Sequence, residues 1–335
     1  MLPILILTLA YLYMNRNIVV NQTQFIMNTT IEIKLFGKNT ERKKLEKVIN
    51  SAFDVIKEVE YNSTSYVAYD GNATALNNNR GKYYSVNTDL VDQLNTTIPF
   101  YKLTSGEFNI GLFRTVNLWK NGAEKNYLPS RLEALNSISK SIPDDIIVDK
   151  FNSRVLLPSD MEIDLGGVSK GYSLDKVVSY LKSVNINNAL INAGGNIIAL
   201  GKPADRNYFN IAVQDPQIIN RNIGIVKLMD GQVIATSGSY NRYYDINGEK
   251  YSHILSGNTG YPTHLYKSVT VITNKGIISD ILSTSLFLLS IEDGKKLMEK
   301  LDYPIEVLYV LNDDTIVKSE GFKIEYSKDN IYKNK

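Results

Sequence analysis

From Ile163 onward the chain alternates segments of strand texture with segments of helix texture, and glycine pairs sit at several of the joints. IDLGG leads into a helical pattern over Tyr172–Val184, and ALINAGGNIIALG reads as apolar strand on either side of Gly194-Gly195. Strands are expected around Phe209–Val213, Ile223–Leu228, Gln232–Thr236 and Ser268–Thr273. Helices follow over about Ile278–Leu289 and Glu292–Lys300, and Ile305–Val317 alternates like a closing hairpin. A strict β-α-β repetition, the mark of a doubly wound parallel sheet, is missing. The pattern therefore predicts an α+β fold, a single large mixed domain with an antiparallel sheet and packed helices.

The first half carries the same mixture. Thr23–Phe36 has strand composition, with Ile31, Ile33 and Leu35 alternating. Asn39-Thr40 can cap a helix in which Leu45, Val48, Ile49, Phe53 and Ile56 recur at three- and four-residue spacing to about Glu60. Tyr61–Lys82 is rich in Asn, Ser, Tyr and Gly and reads as a surface loop, and a helix over Asn87–Leu103 is interrupted by Pro99.

Composition removes several chemistries. The 335 residues contain no cysteine and two histidines, His253 and His264. Disulfide scaffolds, thiolate metal sites, cysteine nucleophiles and multi-histidine zinc centres are excluded together. A metal here must be held mainly by oxygen, which points to a hard cation such as Mg²⁺ or Ca²⁺. Lysine and arginine (37) nearly balance aspartate and glutamate (35), so no basic stripe argues for nucleic acid.

Met1–Met14 (MLPILILTLAYLYM) is almost wholly apolar and is followed by Asn15-Arg16-Asn17. It is shorter than the roughly 20 residues of a straight membrane span, and it suits the apolar region of a signal peptide. A basic leader and a small-residue cleavage site are missing, and the same residues would also make a buried first strand. The expectation is a signal-like or membrane-anchor segment over 1–20, a folded domain over 21–335, and an extracytoplasmic protein held at the membrane by its N-terminus.

Four segments carry candidate chemistry. Asp164-Leu165-Gly166-Gly167-Val168-Ser169-Lys170-Gly171 sits between a strand and a helix, where glycines admit a ligand to the backbone and Lys170 can meet a phosphate. A tight turn with a solvated lysine fits the same residues. Asn192-Ala193-Gly194-Gly195-Asn196 is a second approach point or a plain hairpin turn. In Ala235–Tyr243, Arg242 can clamp a phosphate or pair with a surface carboxylate. Asp280 and Thr284 lie four apart on a helix and share a face, with Ser283 beside them; one carboxylate with hydroxyls and a backbone carbonyl can hold Mg²⁺. His253 is the imidazole placed for proton transfer, or a structural histidine near a turn.

Taken in order, DLGGVSKGYSLDKV, ALINAGGNI, ATSGSYNRYY, YSHILSGNTGYP and SVTVITNKGIISDILSTSLFLL resemble the successive blocks of the ApbE family, the FAD:protein FMN transferases. Met27 in FIMNTT and the Gly106-Glu107-Phe108-Asn109 turn before VNLW resemble its N-terminal blocks. The resemblance implies a T-fold-like domain that binds FAD and Mg²⁺, splits the pyrophosphate, and joins the FMN half to a Thr or Ser hydroxyl of a target protein, releasing AMP. It implies flavin-site roles for Met27, Tyr66, Glu107, Phe108, Asn109, Asp164, Lys170, Arg242 and Ile254, with Tyr66 as the aromatic that stacks on the ring system. It implies metal positions at Asp280, Thr284, Ser283 and the Gly167 backbone, and catalytic roles for His253 and Asp280. The implied partners are target proteins with a flavinylation motif, among them membrane redox-complex subunits. An FAD pyrophosphatase and a non-catalytic flavin-binding protein are the alternatives.

Two departures from the family pattern stand out. Glu107-Phe108-Asn109 replaces a frequent Ala-Phe-Asp, and Ser256-Gly257-Asn258-Thr259-Gly260 replaces a common Asp-Pro-Arg-Thr-Gly. The second loses a proline and a charge from a loop next to the site.

Overall fold

The computed structural model describes residues 2–66, 70, 72–218, 220–240 and 242–334. Among these, a nine-stranded sheet is the central layer. Its strands, in spatial order, are Asn17–Ile26, Thr29–Lys38, Ala189–Ala193, Asn196–Leu200, Val233–Gly238, Tyr266–Thr273, Glu306–Leu311, Thr315–Lys318 and Lys333–Asn334. Every neighbouring pair is antiparallel except the last, where the C-terminal strand lies parallel to Thr315–Lys318. The mixed antiparallel class expected from the sequence is the one observed.

The sheet is covered on both sides, and strand alternation divides its residues between the two. Val233, Val269, Val271, Val307 and Tyr309 face a helical layer formed chiefly by Arg42–Ser63, Ser169–Ser183 and Gly276–Leu288. Ile234, Ile272, Leu308 and Val310 face a small antiparallel sheet of Phe209–Gln214, Asn222–Leu228 and Glu325–Tyr326, packing on Phe209, Ile211, Val226 and Phe322. A strand buried on both faces needs no solvated side, which is why residues 269–273 read as an unbroken β-branched run, with the Thr270 hydroxyl bonded to that of Thr236 at 2.9 Å.

Several local expectations change. Thr23–Phe36 is not one strand but parts of two, joined by Met27-Asn28, whose φ values of 55° and 54° make the two-residue left-handed turn that matches strand twist. The Tyr61–Lys82 stretch is loop only in part among the described residues: the preceding helix runs on to Ser63, and Ala73–Asn78 forms a helix whose first turn is capped by the Asn72 side chain, accepting from Ala75 N at 3.0 Å. Pro99 divides Thr88–Thr97 from Pro99–Leu103 because it supplies no N–H and begins a new turn.

Leu2–Asn15 is a helix rather than a buried strand. Ile6, Leu9 and Leu12 are each more than half exposed (57, 57 and 59%), so these apolar side chains of the helix face outward. Among the described residues no helix is long and apolar enough to cross a membrane.

Candidate functional site

Two helices begin almost in contact, and the site is built where they meet. Ser169–Ser183 and Gly276–Leu288 approach at Gly171 and Gly276, where a Cβ on either residue would overlap the other's carbonyl oxygen. That closeness brings the carboxylate of one helix onto the N-terminus of the other: Asp280 Oδ2 accepts from Gly171 N at 3.0 Å. Asp280 Oδ1 accepts from Asn196 Nδ2 at 2.9 Å and lies 3.7 Å from Lys170 Nζ, which also donates to Gly166 O at 3.0 Å.

Thr284, one turn beyond Asp280, sits beside Gly167; a Cβ at Gly167 would lie 3.4 Å from its Oγ1. Ser237 Oγ is 3.5 Å from the same hydroxyl and donates to Ser283 Oγ at 3.0 Å. Ser283 itself is buried, donates to Asp280 O at 3.1 Å, and stands behind the cavity wall rather than in it. Asp280, Thr284 and Gly167 therefore line the same cavity, where they can offer one carboxylate, one threonine hydroxyl and one backbone carbonyl as oxygen donors. Among the described residues no cluster of three or more His, Asp or Glu exists, so a cation here would keep several waters, as Mg²⁺ does.

These groups line one part of a cavity of about 670 Å³, within the roughly 300–1,000 Å³ range of small-molecule sites. Asp164 lies in its wall. Its carboxyl is pushed above the usual carboxylate range by burial, against the opposing pull of Gly166 N–H (3.0 Å), the Tyr66 hydroxyl (3.3 Å) and Lys170. Tyr66 meets Phe113 edge-to-face at 5.2 Å, and Lys120 Nζ stands 5.5 Å from its ring centre. Burial followed by the Asp164 charge drives the Tyr66 hydroxyl's pKa upward, so it stays protonated and donates.

His253 follows directly on a two-stranded hairpin, Tyr243–Ile246 and Glu249–Ser252, turned by Asn247-Gly248. The hairpin is held by Trp119, fully buried, which stacks on Tyr244 (5.8 Å), contacts Tyr251 and Tyr261, and donates from Nε1 to Gly260 O at 2.8 Å. His253 Nδ1 lies 2.9 Å from Arg242 O. A carbonyl only accepts, so Nδ1 carries the proton and Nε2 is the ring's acceptor. Burial lowers the ring's pKa to about 4, against the opposing effect of that carbonyl; the imidazole is neutral at pH 7. Arg242 donates through Nη2 to Asn28 O at 2.9 Å, tying this segment to the edge-hairpin turn.

Met27, Tyr66, Phe108, Asn109, Asp164, Lys170, Arg242 and Ile254 all line the cavity, together with Gly167, His253, Asp280 and Thr284. Met27 is fixed by its N–H, which donates to Glu60 Oε1 at 2.7 Å, and Asn109 by its Oδ1, which accepts from Gly111 N at 2.7 Å. Glu107 does not line it. Its Oε1 accepts from Asn258 Nδ2 at 2.8 Å, so the two departures from the family pattern are bonded to each other across two loops. Sequence reasoning missed Glu60, Lys120, Asn196, Ser237 and Tyr244 as cavity residues. Asn196, Ser237 and Tyr244 belong to glycine-containing segments already singled out; Glu60 and Lys120 carry no local signal.

The ApbE family model matches residues 27–309. The FAD:protein FMN transferase of Klebsiella pneumoniae (strain 342) is 27% identical over 317 residues, covering 94% of this chain and 96% of its own. That of Treponema pallidum is 24% identical over 318 residues, covering 90% and 87%. Among solved structures, the ApbE protein of Thermotoga maritima superposes with a TM-score of 0.78 at 26% identity, over 93% of this chain and 97% of that one. The flavin transferase ApbE of Vibrio cholerae, at 23% identity and a TM-score of 0.72, shares the fold over 94% and 98%. With the family model spanning most of the length and the same architecture throughout, this chain belongs to the ApbE family.

Proposed function

We propose that the protein is an Mg²⁺-dependent FAD:protein FMN transferase, joining the FMN half of FAD to a Thr or Ser hydroxyl of a target protein as a phosphoester and releasing AMP. The observation that carries the proposal is the pairing, in one cavity, of the Asp280–Thr284–Gly167 oxygen set with a neutral His253. Asp280 and Thr284 side chains and the Gly167 backbone would hold Mg²⁺, which supplies charge neutralisation at the pyrophosphate. Lys170 adds a cation beside them, and Tyr66 offers a ring face to the isoalloxazine.

His253 Nε2 takes the proton of the target hydroxyl as its oxygen attacks the flavin-side phosphorus. The bond from that phosphorus to the bridging oxygen breaks, and the oxygen leaves with AMP. The nucleophile comes from the target, so no enzyme cysteine or serine nucleophile is required. The test is incubation with FAD, Mg²⁺ and an acceptor protein, followed by intact-mass measurement; one added FMN on the acceptor is expected. Tight FAD binding with an unlabelled acceptor would refute the reading, and FMN release at an equal rate without acceptor would mark a pyrophosphatase instead.

The apolar helix Leu2–Asn15, with Ile6, Leu9 and Leu12 exposed, supports attachment to a membrane surface, and we propose an extracytoplasmic site of action on membrane redox subunits. It leads, through Arg16, into the ten-residue strand Asn17–Ile26, whose far end is the Met27 turn at the cavity. At about 3.3 Å per residue this strand separates the helix from the cavity by up to about 33 Å. The acceptor hydroxyl is then expected on a segment that rises well clear of the lipid. Deleting residues 2–15 should release the protein from vesicles and leave transfer to a soluble acceptor intact; unchanged sedimentation with vesicles would refute the attachment.

A further inference from the structure

The helix that carries Asp280 and Thr284 begins without a cap of its own, since Lys275 makes no capping side-chain hydrogen bond. Asp175, on the neighbouring helix Ser169–Ser183, takes that place. Its Oδ1 accepts from Gly276 N at 2.7 Å and its Oδ2 from Ile277 N at 2.9 Å, satisfying the first two N–H groups of Gly276–Leu288. In the opposite direction Asp280 accepts from Gly171 N, in the first turn of Ser169–Ser183. Each helix thus caps the other, on either side of the Gly171–Gly276 contact. Asp175 does not line the cavity.

We propose that Asp175 is a positioning residue for the cation site, holding Asp280 and Thr284 in register with Gly167 and Lys170 by anchoring the start of the helix Gly276–Leu288. The glycine contact already bars closer approach, so without the Asp175 anchor this helix can only slide or tilt away. Asp280 lies four residues from Gly276, about one turn, and is the first ligand to move. Mg²⁺ demands near-ideal octahedral geometry, so a small displacement is felt as lost affinity. The proposal rests on the cation reading above and is tested separately from it.

The test is Mg²⁺ titration of the purified full-length protein by calorimetry, with circular dichroism and melting temperature as fold controls. The wild-type chain must first bind Mg²⁺; if it does not, the cation reading fails and this proposal with it. Asp175→Asn loses one acceptor oxygen. It is expected to weaken Mg²⁺ binding about 10-fold, the low end for groups that orient metal ligands. The Mg²⁺ concentration for half-maximal transfer should rise equally, with kcat at saturating Mg²⁺ within about twofold of wild type. Ser290→Ala is the matched control: Ser290 caps Ile291–Glu299, accepting from Asp293 N at 3.1 Å, and does not line the cavity. It should lower the melting temperature without changing Mg²⁺ affinity. Wild-type Mg²⁺ affinity in Asp175→Asn, or equal weakening in Ser290→Ala, would overturn the proposal. If Asp175→Asn does not fold, Asp175→Ser, which keeps one short acceptor, gives the same readout.

Discussion

The neutral state of His253 makes a quantitative forecast for the pH dependence of transfer. An ordinary histidine titrates near 6.5, whereas burial lowers this ring to about 4. The neutral form is the proton acceptor, so activity is present above the pKa and lost as pH falls through it. At about pH 5.5 a ring with pKa near 4 is still about 97% neutral, while one at 6.5 would be only about 9% neutral. Between about pH 7.5 and 5.5, kcat/KM is therefore expected to change less than twofold where an ordinary histidine base would give about tenfold. The assay is the initial rate of acceptor labelling at low FAD, with saturating Mg²⁺ and constant ionic strength, because kcat/KM reports the free enzyme. His253→Asn at neutral pH should cost about 10²–10⁴-fold if the ring is the base. A rate that halves near pH 6.5, or a His253→Asn variant within tenfold of wild type, would refute the argument. The same shift has a stability consequence of matching sign. The unfolded chain binds a proton below about 6.5 and the folded one does not until about 4, so up to about 3 kcal/mol of stability is lost as pH falls through that window.

Three further outcomes follow from particular contacts. Asp280→Ala is expected to abolish Mg²⁺-dependent transfer and to cost about 1–3 kcal/mol, because Gly171 N–H and the Asn196 amide are left without their acceptor; retained turnover would remove Asp280 from the site. Trp119→Phe strands the Gly260 carbonyl and loosens the hairpin that ends at His253, so it should lower stability by about 1–3 kcal/mol and reduce kcat more than it raises KM for FAD. Thermal melts and steady-state kinetics check both halves. Glu107→Ala should leave FAD affinity within about twofold and cost less than about 1 kcal/mol, since its bond to Asn258 is exposed; a large affinity loss by fluorescence titration would mean that Glu107 reaches the flavin.

Much of the site was legible because its residues sit in short glycine-bearing segments whose order along the chain is itself informative. Asp164, Lys170 and Asp280 are each ambiguous alone and gain a role only from the family resemblance of their segments; the structure lines one cavity with all three. What stayed hidden belongs to contacts between distant segments. Glu107 looked like a pocket residue because its neighbours Phe108 and Asn109 are, yet its carboxylate turns to Asn258, 151 residues away. Lys120 and Glu60 lie on helices with no motif around them, and only packing puts them at the cavity. Within Tyr61–Lys82 the polar Asn and Ser content reads as loop and hides the short capped helix Ala73–Asn78.

Local chemistry by itself determined most of the strands and helices of the second half and the antiparallel mixed class, and it limited any bound cation to oxygen ligands; the hairpin of Tyr243–Ile246 and Glu249–Ser252 that leads to His253 was not among the legible elements. Backbone sterics and hydrophobic periodicity act over a few residues, so both can be read in a line. Tertiary structure alone decided that Asp175 and Asp280 cap each other's helices, that His253 is buried enough to stay neutral, and that Ile6, Leu9 and Leu12 of the N-terminal helix stay exposed. Those properties depend on which groups lose water and which find partners across a hundred residues, and the chain acquires them only when the layers close.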